Sequence, residues 1–123
     1  MATRRLPNYL RTYRKHSGLS QSEISFLIRL KDKSELSRYE RNLRQPSLRM
    51  ALACQEVYGK PVSELFAGLN ESVARDSRDR MKRMQTRLQA SADPQSTGSK
   101  LMRKFQWISQ RLLEMPNFKL VSA

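Results

Sequence analysis

An all-α fold, with five short helices making one domain and two more beyond it, is what this sequence predicts, and three observations carry the prediction. Ser20 with Glu23, and Asp32 with Glu35, are capping-box patterns whose side chains satisfy the free amides of a helix's first turn. Apolar residues recur at spacings of three and four, with no alternation of period two. Gly18, Gly59, Gly68, Pro46 and Pro61 fall between the periodic segments, where short helices must stop and start.

In chain order, Met1–Pro7 is a short basic segment with Arg4 and Arg5, either a frayed terminus or an arm against nucleic-acid backbone or minor groove. Helix 1 is expected from about Pro7 or Asn8 to His16, turning Leu10, Tyr13 and Arg14 inward, with Gly18 as its stop. The stretch Ser20–Glu40 then reads as two helices joined by a tight turn. Ile24, Leu27 and Ile28 form the inner edge of the first, and Leu36 with Tyr39 that of the second. On the second, Asp32, Lys33, Ser34, Ser37, Arg38 and Arg41 are left on the outside, a hydroxyl- and cation-rich face of the width that fits a DNA major groove.

Pro46-Ser47 opens helix 4, expected through about Tyr58 with Leu48, Ala51, Leu52 and Gln55 or Val57 inward, and Pro61 opens helix 5, which closes the core with Val62, Leu65 and Phe66 and stops at Gly68. Residues 71–90 form a charged helix with a thin stripe of Val73, Ser77, Met81, Met84 and Leu88. A loop from Ser91 to Ser99 follows, broken by Asp93-Pro94, and Lys100–Met115 is a further helix with Leu101, Phe105, Ile108 and Leu112 in register. Trp107 is read as a packing residue, and Pro116–Ala123 as a loose tail.

From about Leu6 to Leu69 the chain resembles the phage-repressor-like helix-turn-helix family (Cro/lambda-repressor, or XRE, type). The resemblance is carried by Gly18-Leu19-Ser20-Gln21, Leu36-Ser37-Arg38-Tyr39-Glu40-Arg41 and Pro46-Ser47-Leu48, in order and nearly in register. It implies a five-helix lambda-repressor-like DNA-binding domain over 1–69; the two helices read above from periodicity make residues 70–123 a two-helix extension. Two departures stand out: Ser25 where the family usually has Ala, and Arg29 where it usually has Gly, in a turn from Arg29 to Lys33 that is one residue longer than the common pattern. With Asp32, Leu36 and Tyr39 fixing the register, the extra residue is absorbed in the turn.

In that register, Lys33, Ser34, Ser37 and Arg38 of helix 3 (about 32–41) are expected to meet base edges, where a good bidentate contact discriminates by about 1–3 kcal/mol. The resemblance implies phosphate contacts from Gln21, Arg41, Asn42 and Arg44, which set affinity and orientation rather than sequence. It also implies a structural ion pair between Arg14 and Glu40. If buried, losing one partner costs roughly 3–5 kcal/mol; a surface pair would be worth about 0–1 kcal/mol.

The chain carries 24 Lys and Arg against 11 Asp and Glu, net +13, with +7 in residues 1–70 and +6 in 71–123, so both parts are suited to an anionic partner. No run of about 18 apolar residues exists, so no membrane span is expected, and the composition suits a cytoplasmic protein, nucleoid-associated in a bacterium. The single Cys54 sits on an apolar helix face as an inert core residue, and one histidine and one cysteine supply little for a metal cluster or a nucleophile and base. No enzyme activity and no cofactor are expected.

The expected function is that of a sequence-specific double-stranded-DNA-binding transcriptional regulator, by default a repressor, acting as a homodimer on a two-fold operator. Residues 70–123 either dimerise, bind a protein partner, or pack on their own domain. The antitoxin that represses its own operon is a reading within the same class. A protein-interaction adaptor and an RNA-binding protein are rivals from other classes.

Overall fold

The computed structural model describes residues 6–91 and 98–115. The expected N-terminal arm through Arg5, the Asp93-Pro94 break and the tail from Pro116 lie outside the described residues. The described chain is all-helical, in the order α1 (Leu10–Ser17), α2 (Gln21–Leu27), α3 (Lys33–Glu40), α4 (Leu48–Tyr58), α5 (Val62–Leu65), α6 (Ala67–Ala90) and α7 (Ser99–Glu114). It divides into two compact units, 1–70 and 71–123.

In the first unit Leu10, Ile24, Leu36, Cys54 and Leu65 are fully buried, joined by Ile28, Tyr39, Met50, Ala51 and Phe66. Each large aliphatic side chain so placed contributes about 1.5–3 kcal/mol by leaving water. α3 packs on α2 and α1, and α4 on α1 and α5. α1 begins later than its sequence suggests. Residues 7–9 instead form an irregular lead-in: Tyr9 N donates to Leu65 O at 2.8 Å, and the buried Asn8 ties Tyr39 O (2.9 Å) to Leu10 N (3.2 Å).

In the first unit three expectations of burial need correction. In α2, Leu27 is exposed: the buried edge is Ile24, Ser25 and the C-cap residue Ile28. In α4 the inward face is Met50, Ala51 and Cys54, while Leu48 and Leu52 point outward. The Leu-based and Met/Cys-based stripes both satisfy helical spacing, and packing chooses the second. Gln55 is half-buried for a polar reason: its Oε1 accepts from Val62 N at 3.0 Å and so caps α5.

Gly68 does not stop a helix. α5 ends at Leu65, Phe66 breaks the ladder, and α6 runs through Gly68 without interruption to Ala90. The glycine is needed for close approach: Gly68 N donates to Pro7 O at 2.8 Å, and a Cβ there would meet Pro7 Cα at 2.8 Å.

Within residues 71–115, α6 and α7 pair as an antiparallel hairpin. Gln85 Nε2 donates to Ser109 Oγ at 2.9 Å, and Arg78 Nη1 reaches Leu112 O (3.3 Å) and Met115 O (3.4 Å), satisfying carbonyls at the α7 terminus. The seam is half-buried: Ala74, Ser77, Met81 and Leu88 from α6, and Leu101, Phe105, Ile108 and Leu112 from α7. Val73 and Met84, expected in the stripe, are exposed, and so is Trp107, at 71 %. No described residue of the hairpin is fully buried. None of the described helices is long and apolar enough to cross a membrane.

Candidate nucleic-acid interface

The positioning of α3 starts with its caps. Asp32 accepts from Glu35 N at 3.0 Å, while the Glu35 carboxylate reaches Lys31 N at 2.8 Å rather than closing a reciprocal box. At α2 the box is complete, Ser20 Oγ with Glu23 N (3.1 Å) and Glu23 Oε1 with Ser20 N (2.9 Å), and these bonds hold the Glu23 carboxyl below its usual range. Both helices end the same way. Leu30 N bonds Ser25 O with Arg29 N on Phe26 O, and Leu43 N bonds Arg38 O with Asn42 N on Tyr39 O, so each is a Schellman closure. Its left-handed residue is Arg29 (φ +63°) in one case and Asn42 (φ +58°) in the other. The connection 28–32 therefore turns on a non-glycine residue, and α3 emerges with Leu36 and Tyr39 buried.

α3 is then clamped from behind. Arg14 Nε donates to Glu40 Oε2 at 2.7 Å and Nη2 to Oε1 at 3.3 Å, while Gln21 Nε2 donates to Oε1 at 2.9 Å. One carboxylate thus joins α1, α2 and α3. Both charges are shielded from water, with side-chain exposures of 14 % for Arg14 and 3 % for Glu40. The bond from Glu40 raises the Arg14 pKa further, against the opposing effect of burial, so the guanidinium stays charged.

On the outer side lies an open cleft of about 530 Å³ between α1, the start of α2 and α3. It is lined by Arg11, Arg14, Lys33 and Arg41, by Ser20, Gln21, Ser22 and Ser37, and by Glu40 as the one carboxylate. Since Glu40 is already bonded to Arg14 and Gln21, the cleft has an excess of positive charge. Ser34 and Arg38, exposed and four residues apart, continue the same face of α3 outside the cleft. Lys33 and Ser37 are the corresponding pair inside it.

The remaining sequence-derived residues have local partners. Gln21 uses one amide hydrogen on Glu40 and keeps the other. Arg41 Nε lies 3.4 Å from Ser37 O. Arg44 is held beside α3, 3.7 Å from Glu35 and with its guanidinium 5.7 Å from the Tyr39 ring centre, yet 55 % of its side chain stays exposed. Arg11 and Ser22 were missed by the sequence reading. Arg11 lies one turn before Arg14, so the helical spacing that assigned Arg14 could have found it; Ser22 carries no comparable signal.

Among the described residues no group of three His, Cys, Asp or Glu side chains could hold a metal ion. Cys54 is fully buried 4.0 Å from Met50 Sδ, and burial pushes its thiol up to about 12. His16 is exposed, edge-on to the Tyr13 ring at 6.0 Å.

Compared with known proteins, residues 10–65 match the family model described as helix-turn-helix. No curated protein and no solved structure matches the chain significantly. The matched segment runs from the first residue of α1 to the last of α5, and contains the capped α2, the turn and the clamped α3. Residues 10–65 thus carry a helix-turn-helix domain of the Cro/lambda-repressor type, which supports a DNA-binding transcriptional regulator in general.

Proposed function

We propose that the chain is a sequence-specific repressor that docks α3 in the major groove of a two-fold operator as a homodimer, inside the cell. The observation that carries this reading is the outer face of α3. Lys33, Ser34, Ser37 and Arg38 stand clear of the core on a helix whose rotation is fixed by Leu36, Tyr39 and Glu40, and they adjoin a cleft with excess positive charge. Lys33 and Arg38 donate to guanine O6 and N7, and the serines donate or accept according to the base. Arg41, Asn42, Arg44, the free amide hydrogen of Gln21 and the newly found Arg11 hold phosphates on either side. Repression by promoter occlusion needs nothing beyond such binding.

The second copy is assigned to the hairpin of residues 71–115. Its seam is half-buried and Val73, Met84, Met102 and Leu113 remain exposed, so a second hairpin would remove apolar surface that one copy leaves in water. The same surface suits a co-encoded protein, which is the antitoxin reading. Selection from a randomised duplex pool, with the mass of the complex measured beside it, tests the proposal. A palindromic motif bound by two chains is expected, and an unsymmetrical motif or a lone bound chain argues against the dimer.

A further inference from the structure

We infer that the solvent-facing side of α7 is a second duplex-DNA surface, one that grips phosphate without reading sequence. Lys100, Arg103, Lys104 and Trp107 fall at helical spacings of three and four on one side of α7, and all are exposed. Trp107 presents 71 % of its surface to solvent, unusual for the largest apolar side chain of the chain. Among the described residues no carboxylate neutralises the three cations. Glu114, the acidic residue of α7, is engaged by Arg111 at 3.0 Å and Gln110 at 2.9 Å.

The geometry separates this side from the rest of the helix. Leu101, Phe105, Ile108 and Leu112 are half-buried, and Arg78 and Gln85 of α6 bond α7 at Leu112 O and Ser109 Oγ. Met102 and Leu113, eleven residues apart and so on one line, lie roughly 120–140° around the helix from Trp107. α7 therefore has an inner seam, an apolar flank free for a second copy, and a cationic flank with an aromatic ring among its charges. A membrane would need the apolar stripe beside the cations, and here that stripe is occupied by α6. A polyanion matches the cationic flank by charge, and the chain already carries a DNA-binding domain, on which this inference rests. Three added phosphate contacts steepen the salt dependence, and the Trp107 ring packs against the sugar-phosphate wall between them.

Trp107 is the single tryptophan, so its fluorescence reports on this face alone. The full chain is titrated with random-sequence duplex, following Trp107 emission and, separately, anisotropy of the labelled duplex. Emission is expected to change in step with binding, both in the parent and in the Lys33→Ala/Arg38→Ala variant. In Lys100→Ala/Arg103→Ala/Lys104→Ala, whose alanines favour helix, the slope of log K against log salt is expected to shrink by about 2–3. An emission that stays flat while anisotropy saturates overturns the inference, as does an unchanged slope or a response to single strands with none to duplex. A flat emission, when the pool selection shows a site preference that the α3 variant loses, sinks this inference alone. A Trp107 response without any site preference sinks the proposed reading of α3 instead.

Discussion

Replacing Arg29 by glycine should stabilise the helix-turn-helix domain. Arg29 holds φ at +63°, where the side chain of an L-residue crowds its own carbonyl, while both closing bonds, Arg29 N to Phe26 O and Leu30 N to Ser25 O, are made by backbone. Left-handed backbone costs a non-glycine residue about 1–2 kcal/mol. Glycine avoids this but loses about 0.5–1 kcal/mol more chain entropy on folding. The net gain expected for Arg29→Gly is about 0.5–1 kcal/mol, or roughly 2–6 °C in Tm for a domain of this size. Urea titration measures it directly. Arg29→Ala is the control: it removes the same long exposed side chain but keeps the strain, and should stay within about 0.5 kcal/mol of the parent. Asn42→Gly should gain less than Arg29→Gly, since Asn tolerates the left-handed region. If Arg29→Gly is no more stable than Arg29→Ala, the turn is not strained and the reasoning fails.

Three further outcomes follow from particular contacts. Glu40→Ala strands the shielded Arg14 guanidinium and one Gln21 bond and should cost about 3–5 kcal/mol in urea unfolding, whereas the double change Arg14→Met/Glu40→Leu should recover most of the loss; equal losses would mean the charge pair is not the clamp. Gly68→Ala should cost about 1–3 kcal/mol by forcing Pro7 away, measurable as a fall in Tm, and a neutral result would deny the close approach. Cys54 should resist thiol reagents at pH 8, because with its pKa near 12 about one folded molecule in 10⁴ is thiolate. The sign of the linkage is that the neutral buried thiol favours folding fully below its unfolded value of about 8.5, and progressively less as pH rises towards 12. Labelling faster than unfolding would contradict this.

The parts legible in the sequence were those where local chemistry and tertiary packing ask for the same residue. Ser20 with Glu23 marks a helix start whatever surrounds it, and Leu36 with Tyr39 can face only one way once Asp32 caps α3. Where two solutions satisfy the same spacing, sequence alone was not enough. In α4 the Leu48/Leu52 and Met50/Cys54 stripes are equivalent by period, and only the neighbouring helices select the second. Gly68 illustrates a different ambiguity, since glycine both ends helices and permits close contact, and the partner that decides, Pro7, lies 61 residues away. Trp107 was assigned to packing by its chemistry, although the seam of α7 was already filled by Leu101, Phe105, Ile108 and Leu112. At the candidate interface, helical spacing indicated the outer face of α3, but the cleft beside it also draws on Arg11 and Ser22 of other helices.

The central claim, that α3 reads bases while its surroundings hold phosphate, is tested most directly by comparing alanine variants against single-base-pair substitutions of a selected operator. Arg38→Ala and Lys33→Ala should each lose about 1–3 kcal/mol of discrimination at particular base pairs and leave the others intact. Arg41→Ala and Arg44→Ala should instead weaken binding evenly across sequences and reduce the salt slope by about 1 each. If all four variants weaken every sequence alike, the face of α3 contributes charge alone and does not read DNA.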